Sequence, residues 1–185
     1  MKKAIFSLVI LFLVSASVYA QSYTPPIGSQ FQGGIVAYIL KIGDSGYVSG
    51  EIHGLIAAPS DQSTTGIQWF NGRNILTGAA GTALGTGITN TNIIVSKQGT
   101  TLSYAARLCA ELVLNGYYDW YLPSKDELNK LFQNRFAIGG FTNNFYWSSS
   151  ENGSNFACYQ FFDNGTQGAN GLKNGPNYVR AVRSF

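Results

Sequence analysis

Reactive side chains are few in this chain and widely spaced. His53 is its one histidine. A metal site ordinarily draws two or more good ligands together, and an acyl-transfer triad cannot be read from a lone imidazole, so His53 reads as a structural or loop residue. Asp119, Asp126 and Glu127 are close enough in sequence to suggest an acid–base pair. Ser124 and Glu127, however, form S-x-x-E, the signature of a helix capping box, and Asp126 then complements the positive end of that helix. The glycine string from Gly78 to Gly87 lacks the Lys-Ser/Thr ending of a phosphate loop. Nine scattered acidic residues do not announce the six to eight or so oxygens of a calcium site. No catalytic group, metal or cofactor is expected.

Two cysteines remain, Cys109 and Cys158. In an oxidising compartment they permit a bridge, and closing a loop of about 50 residues would contribute roughly 4 kcal/mol in the chain-entropy model. The alternative is two separate buried thiols, one on an apolar helix face and one inside a strand. Arg180 and Arg183, three apart on a strand, point to opposite faces. Glu151 is expected to pair with Arg180 as a structural ion pair, so that Glu151→Gln lowers the melting temperature.

The elements that must position these residues begin after residue 20. Met1-Lys2-Lys3, the apolar run Ala4 to Val14 and the small-residue end Val18-Tyr19-Ala20 read as a secretory signal peptide cut after Ala20. No later apolar run is long enough to span a bilayer. The formal charge of +3 includes Lys2 and Lys3, so the remaining chain carries +1. That excludes nucleic acid or an anionic membrane as a charge-driven partner. Charged residues are 11% of the chain, far below the usual ~25%, and the polar surface must come from Asn, Ser, Thr, Tyr and backbone.

Residues 21–30, with Pro25-Pro26, read as an extended lead-in, and residues 31–185 as a single domain. Gly34 to Leu40 and Gly54 to Ala58 have strand character, and Ile67 to Phe70 forms a third, short candidate. Gly72 to Gly87 offers little to pack and reads as a surface excursion. Thr89 to Ser96 suits a short helix. From Ser103, apolar residues at Ala105, Leu108, Cys109, Leu112 and Val113 trace one helical face that Asn115-Gly116 ends. The capping box opens another helix with Leu128, Leu131, Phe132 and Phe136 as its buried stripe. Tyr146 to Ser149, Phe156 to Phe162 and Tyr178 to Phe185 are β-rich, and Asn164 to Asn177 lies between them as a loop. Strand, helix, helix, then strands without βαβ repetition predicts an α+β fold.

Asparagines and aromatics interleave between Phe141 and Asn177. Asn144, Phe145, Asn155, Tyr159, Asn164, Asn170 and Asn177 are the candidate ligand-binding residues, because adaptable amides beside rigid rings suit recognition surfaces. The competing reading packs the rings inward and leaves the asparagines to turns. Trp120 and Trp147 sit in apolar motifs and read as core.

Three segments, DWYLPSKDEL (Asp119 to Leu128), YWSSSE (Tyr146 to Glu151) and YVRAVR (Tyr178 to Arg183), together resemble the exported bacterial domain of unknown function 1566, the Legionella collagen-like protein C-terminal domain family. HGLIAAPSDQS (His53 to Ser63), IQWFNG (Ile67 to Gly72) and YAARLC (Tyr104 to Cys109) fit the same pattern, so the likeness runs from about Gly28 to Phe185. The resemblance implies a C-type-lectin-like fold related to the formylglycine-generating enzymes, with two main helices beside a small, twisted, mostly antiparallel sheet and long loops. It also implies an adhesion-type role, the collagen-like member binding sulfated glycosaminoglycans. This chain has no collagen repeat and little net charge, and it lacks the Glu-Pro-Asn, Gln-Pro-Asp and Trp-Asn-Asp triplets of calcium-dependent lectins. The expected function is an exported, non-enzymatic recognition domain that binds a glycan or a surface protein through C-terminal loops between Phe141 and Asn177. A structural or assembly module of the cell envelope is the alternative, and an enzyme the third reading.

Overall fold

The computed structural model describes residues 23–185; the expected signal peptide and its cleavage point lie outside them. The fold is mixed α+β, as the element order predicts. Two antiparallel sheets carry it. The first runs in the order β1 (Gln30–Phe31), β2 (Gly34–Ile39), β3 (Gly54–Ala57), β7 (Val182–Ser184). The second is β4 (Phe145–Glu151), β5 (Phe156–Phe161), β6 (Gln167–Leu172) in sequential order. Strand β3 is buried along its whole length and β2 nearly so, which is why both read as continuous apolar runs rather than alternating ones. Helices α1 (Gly87–Gln98), α2 (Ala105–Ala110), α3 (Lys125–Gln133) and α4 (Arg135–Ile138) fill the middle of the chain.

One core cluster gathers Trp69, Ile94, Tyr104, Cys109, Trp120 and Trp147. The other gathers Leu55, Tyr121, Leu128, Leu131, Tyr146 and Phe162, so α3 packs its apolar stripe against both sheets. Both tryptophans read as core, Trp120 and Trp147, are buried.

The capping box forms as its spacing predicts. The Glu127 amide donates to Ser124 Oγ at 3.3 Å and the Ser124 amide to Glu127 Oε2 at 2.7 Å. Glu127 also accepts from the Gly85 amide at 2.8 Å, which ties the start of α3 to the start of α1. Burial pushes the Glu127 carboxyl up from its ordinary value, against the pull of these amides. Ser124→Ala should lower stability by about 0.5–2 kcal/mol in chemical denaturation; an unchanged midpoint would remove the cap from the account.

Several elements differ from the sequence reading. Ile67 to Phe70 makes one bridge, Ile67 with Asn177, and no strand, because its partner segment is irregular beyond that pair. Helix α2 stops at Ala110 and leaves Val113 72% exposed. Asn115 and Gly116, both at positive φ, instead make the tight turn that bridges Leu114 to Tyr117. The helical stripe after α3 breaks at Asn134, so Phe136 points to solvent under the Arg135 guanidinium, 4.3 Å from its ring. Strand β6 occupies the expected Asn164 to Asn177 loop; its run of small and polar residues carries no strand signal. Of Tyr178 to Phe185, only Val182–Ser184 is a strand.

The segment from Gly72 to Gly87 is irregular up to Thr86, but it is not a free excursion. Thr77 and Ala79 are buried, and two residues of the second sheet and one of α1 hold it. Glu151 accepts from the Thr77 and Gly78 amides at 2.9 and 2.7 Å. Ser150 Oγ donates to Gly81 O, and Asn90 from α1 exchanges hydrogen bonds with Gly81. Ser148, Ser149 and Ser150 are all fully buried, so the serine run of YWSSSE is a polar knot beneath the surface.

Candidate functional site

The candidate chemical residues do not converge. His53 Nε2 lies 2.8 Å from Glu51 and its Nδ1 3.2 Å from Phe185 O; the Glu51 hydrogen bond raises its pKa. Asp119 accepts from Arg183 at 2.7 and 2.8 Å, and that pairing holds its carboxyl below the usual range. Glu127 is used by the cap. Among the described residues no three His, Cys, Asp or Glu side chains cluster. Cys109 and Cys158 are both free and buried, so the bridge is not made. Each packs within the interior on its own element, and burial raises both thiols.

The expected ion pair between Glu151 and Arg180 is also not made. Arg180 reaches Asp61 at 2.8 Å and the carbonyls of Ala58, Gly139 and Gly140. Glu151, at the far end of β4, meets the end of β6 instead, where Lys173 Nζ donates to it at 2.6 Å. Both side chains of that pair are sealed from solvent, at 1% and 0% exposure. Lys173 also lies 4.5 Å over the Trp69 ring and donates to Ile75 O. Burial opposes charge on Glu151, but Lys173 and the Thr77 and Gly78 amides outweigh it and hold the carboxyl low.

Where side chains do converge is the face of the second sheet. Phe145, Tyr159, Asn170 and Asn177 line one groove of about 240 Å³, with Trp147 and Leu172. Alternation explains the rings: Phe145 and Trp147 are two apart on β4, opposite Phe161 and Tyr159 on β5. Phe145 stacks on Phe161 at 4.5 Å and meets Tyr159 edge-on at 5.5 Å. The Trp147 indole is nearly buried and donates to Ile67 O at 2.9 Å, so it forms a fixed floor.

Strand β6 shapes the opposite wall. A Cβ on Gly171 would lie 2.7 Å from both the Trp147 and Tyr159 rings, and one on Gly168 2.5 Å from Tyr159. Glycine is therefore required for the rings to lie across this strand. Two steps along β5, Ala157 to Tyr159, face three along β6, Gly168 to Gly171. That bulge re-aims the chain and presents Asn170, whose Oδ1 accepts from the Tyr159 hydroxyl at 3.3 Å.

The other three candidate asparagines are not in the groove. Asn144 Oδ1 accepts from the Phe145 amide, and Asn164 Oδ1 caps the β5–β6 turn through the Thr166 amide. Asn155 contributes its backbone carbonyl to Lys173 N. Sequence reasoning missed Gly171, Leu172 and Gly175 of the lining and read Trp147, which forms its floor, as core alone. The usable signal was the pair of glycines inside QGANGL, since an interior strand glycine marks close approach by another group.

A family model described as the Lcl C-terminal domain matches residues 60–183. Among solved structures, the fold is similar to a fimbrial protein from Bacteroides ovatus ATCC 8483, at a TM-score of 0.52 and 12% identity. That similarity covers 87% of this chain and 45% of the fimbrial protein, so the chain spans under half of the neighbour's length. No curated protein matches. Among the described residues no helix is long and apolar enough to cross a membrane.

Proposed function

Because the chain belongs to the Lcl C-terminal domain family, we propose that it is an exported, non-enzymatic recognition domain of adhesion type. Its contact face is the aromatic–amide groove of the β4–β5–β6 sheet, and its partner is a glycan or a surface protein. The observation that carries this reading is the convergence of Phe145, Tyr159, Asn170 and Asn177 on one groove. Rigid rings and adaptable amides there form a preorganised surface. The reading includes export by the leader at residues 1–20, one domain over residues 31–185, a C-type-lectin-like fold and the wider grouping of domain of unknown function 1566. A second reading, a structural or assembly module of the cell envelope, is favoured by the likeness to a fimbrial protein.

A glycan array and a cell-surface pull-down with the mature protein, each with and without calcium, separate the two. Specific capture lost in Asn170→Ala supports recognition through the groove. Silence in both assays, with the protein folded, supports the structural module.

A further inference from the structure

We propose that the groove takes one uncharged pyranose residue of a glycan, and takes it without a bridging metal ion. This deepens the recognition reading and rests on it. The lining residues are aromatic, aliphatic, glycine and asparagine; none carries a formal charge. A sulfate or a sugar carboxylate placed there would give up part of its hydration with no counter-charge to replace it. The nearest cation along the chain is Lys173, next to Leu172. It is unavailable, because its ammonium is turned inward to Glu151, Ile75 O and the Trp69 ring, with no exposed side-chain surface. A metal-bridged sugar has no anchor either, since no carboxylate lines the groove.

The groove does offer the two contacts that a neutral sugar needs. The C–H hydrogens of a pyranose face are weakly positive and suit the negative faces of aromatic rings, here Phe145 and Tyr159. Vicinal hydroxyls suit a primary amide, which donates and accepts side by side, here Asn170 and Asn177. Asn170 already holds the Tyr159 hydroxyl, so ring and amide are positioned together before any ligand arrives. Size points the same way. A volume of about 240 Å³ lies below the roughly 300–1,000 Å³ of sites for larger ligands, and one ring fits it better than an extended oligomer. A protein partner would require a patch of about 800 Å² on this side, much more than the groove.

The test is an array of immobilised neutral, sulfated and uronic-acid oligosaccharides probed with the mature protein, once in calcium and once in EDTA. Neutral glycans should bind equally in both, and free monosaccharide should compete. Asn170→Ala, whose side chain is at the surface, should weaken binding about tenfold, the loss of one or two hydrogen bonds, with no change in melting temperature. Phe145→Ser should abolish it. Binding confined to sulfated or uronic-acid glycans, or lost in EDTA, would overturn this inference and leave the recognition reading standing. So would capture of a surface protein, with silence on the array, that Asn170→Ala removes. Silence on the array and in the pull-down would overturn both.

Discussion

Lys173→Met should destabilise the fold by about 3–5 kcal/mol in urea unfolding, the expected cost of leaving one member of a buried ion pair without its partner. The geometry that sets this size is the complete sealing of both groups, Lys173 Nζ at 2.6 Å from Glu151 with neither side chain open to water. Glu151→Gln should also lower the melting temperature, now because it weakens the contacts to Lys173 and to the Thr77 and Gly78 amides rather than to Arg180. The double variant Glu151→Gln with Lys173→Met should recover part of the loss, since the neutral amide oxygen still accepts from the Thr77 and Gly78 amides while no charge is left unpaired. The pH dependence has a definite sign. The folded-state pKa of Glu151 is lowered, so its contribution is present above the ordinary value of about 4.5 and disappears as pH falls through the lower folded value. The stability gap between the wild type and Glu151→Gln should therefore narrow in acid below about pH 4.5. A gap that stays constant there would mean the carboxylate charge is not what Lys173 needs.

Arg180→Met should have an effect of the same order, about 3–5 kcal/mol, seen as a fall in melting temperature on the order of 10 °C. The Arg180 side chain is fully buried and Asp61 is 10% exposed. Its guanidinium lies 4.0 Å from the Phe141 ring and joins Ala58, Gly139 and Gly140 to Asp61. Removing it takes the counter-charge from Asp61, whose carboxyl burial already pushes up and which keeps the Tyr146 hydroxyl at 2.8 Å, and takes the guanidinium donor from three carbonyls. The Arg107–Glu111 pair is the contrast. Glu111 is 55% exposed, and breaking such a pair should change stability by about 0–1 kcal/mol. Equal losses at both sites would show that burial is not the deciding variable.

The elements legible in the sequence were those whose signals are local. The Ser124–Glu127 box and the Leu128–Leu131 stripe predict α3 because both act within one or two turns. The buried runs of β2 and β3 predict strands because neither face needs polar residues. What was hidden depends on distant partners. Nothing near Glu151 in sequence announces Lys173, 22 residues on, and nothing near Arg180 announces Asp61, 119 residues back. Strand β6 was illegible because its glycines serve the rings of its neighbours and not its own propensity. The groove was half legible. Rings at alternate positions on β4 and β5 are a local pattern, whereas the asparagines divide between groove and turns by backbone geometry that the residue type does not reveal.

The irregular register of β6 has a further result at its other side. Among the described residues β6 pairs only with β5 in the three-stranded sheet and therefore ends that sheet as an edge. An edge strand is a template for another chain, and its danger grows with length, flatness and regularity. Here the bulge between Gly168 and Gly171 breaks the straight ladder, and Asn152 Nδ2 already occupies the Ala169 carbonyl at 2.7 Å. The distortion that delivers Asn170 to the groove also spoils the strand as a seed for aggregation, so the groove is kept open without an adhesive edge at β6.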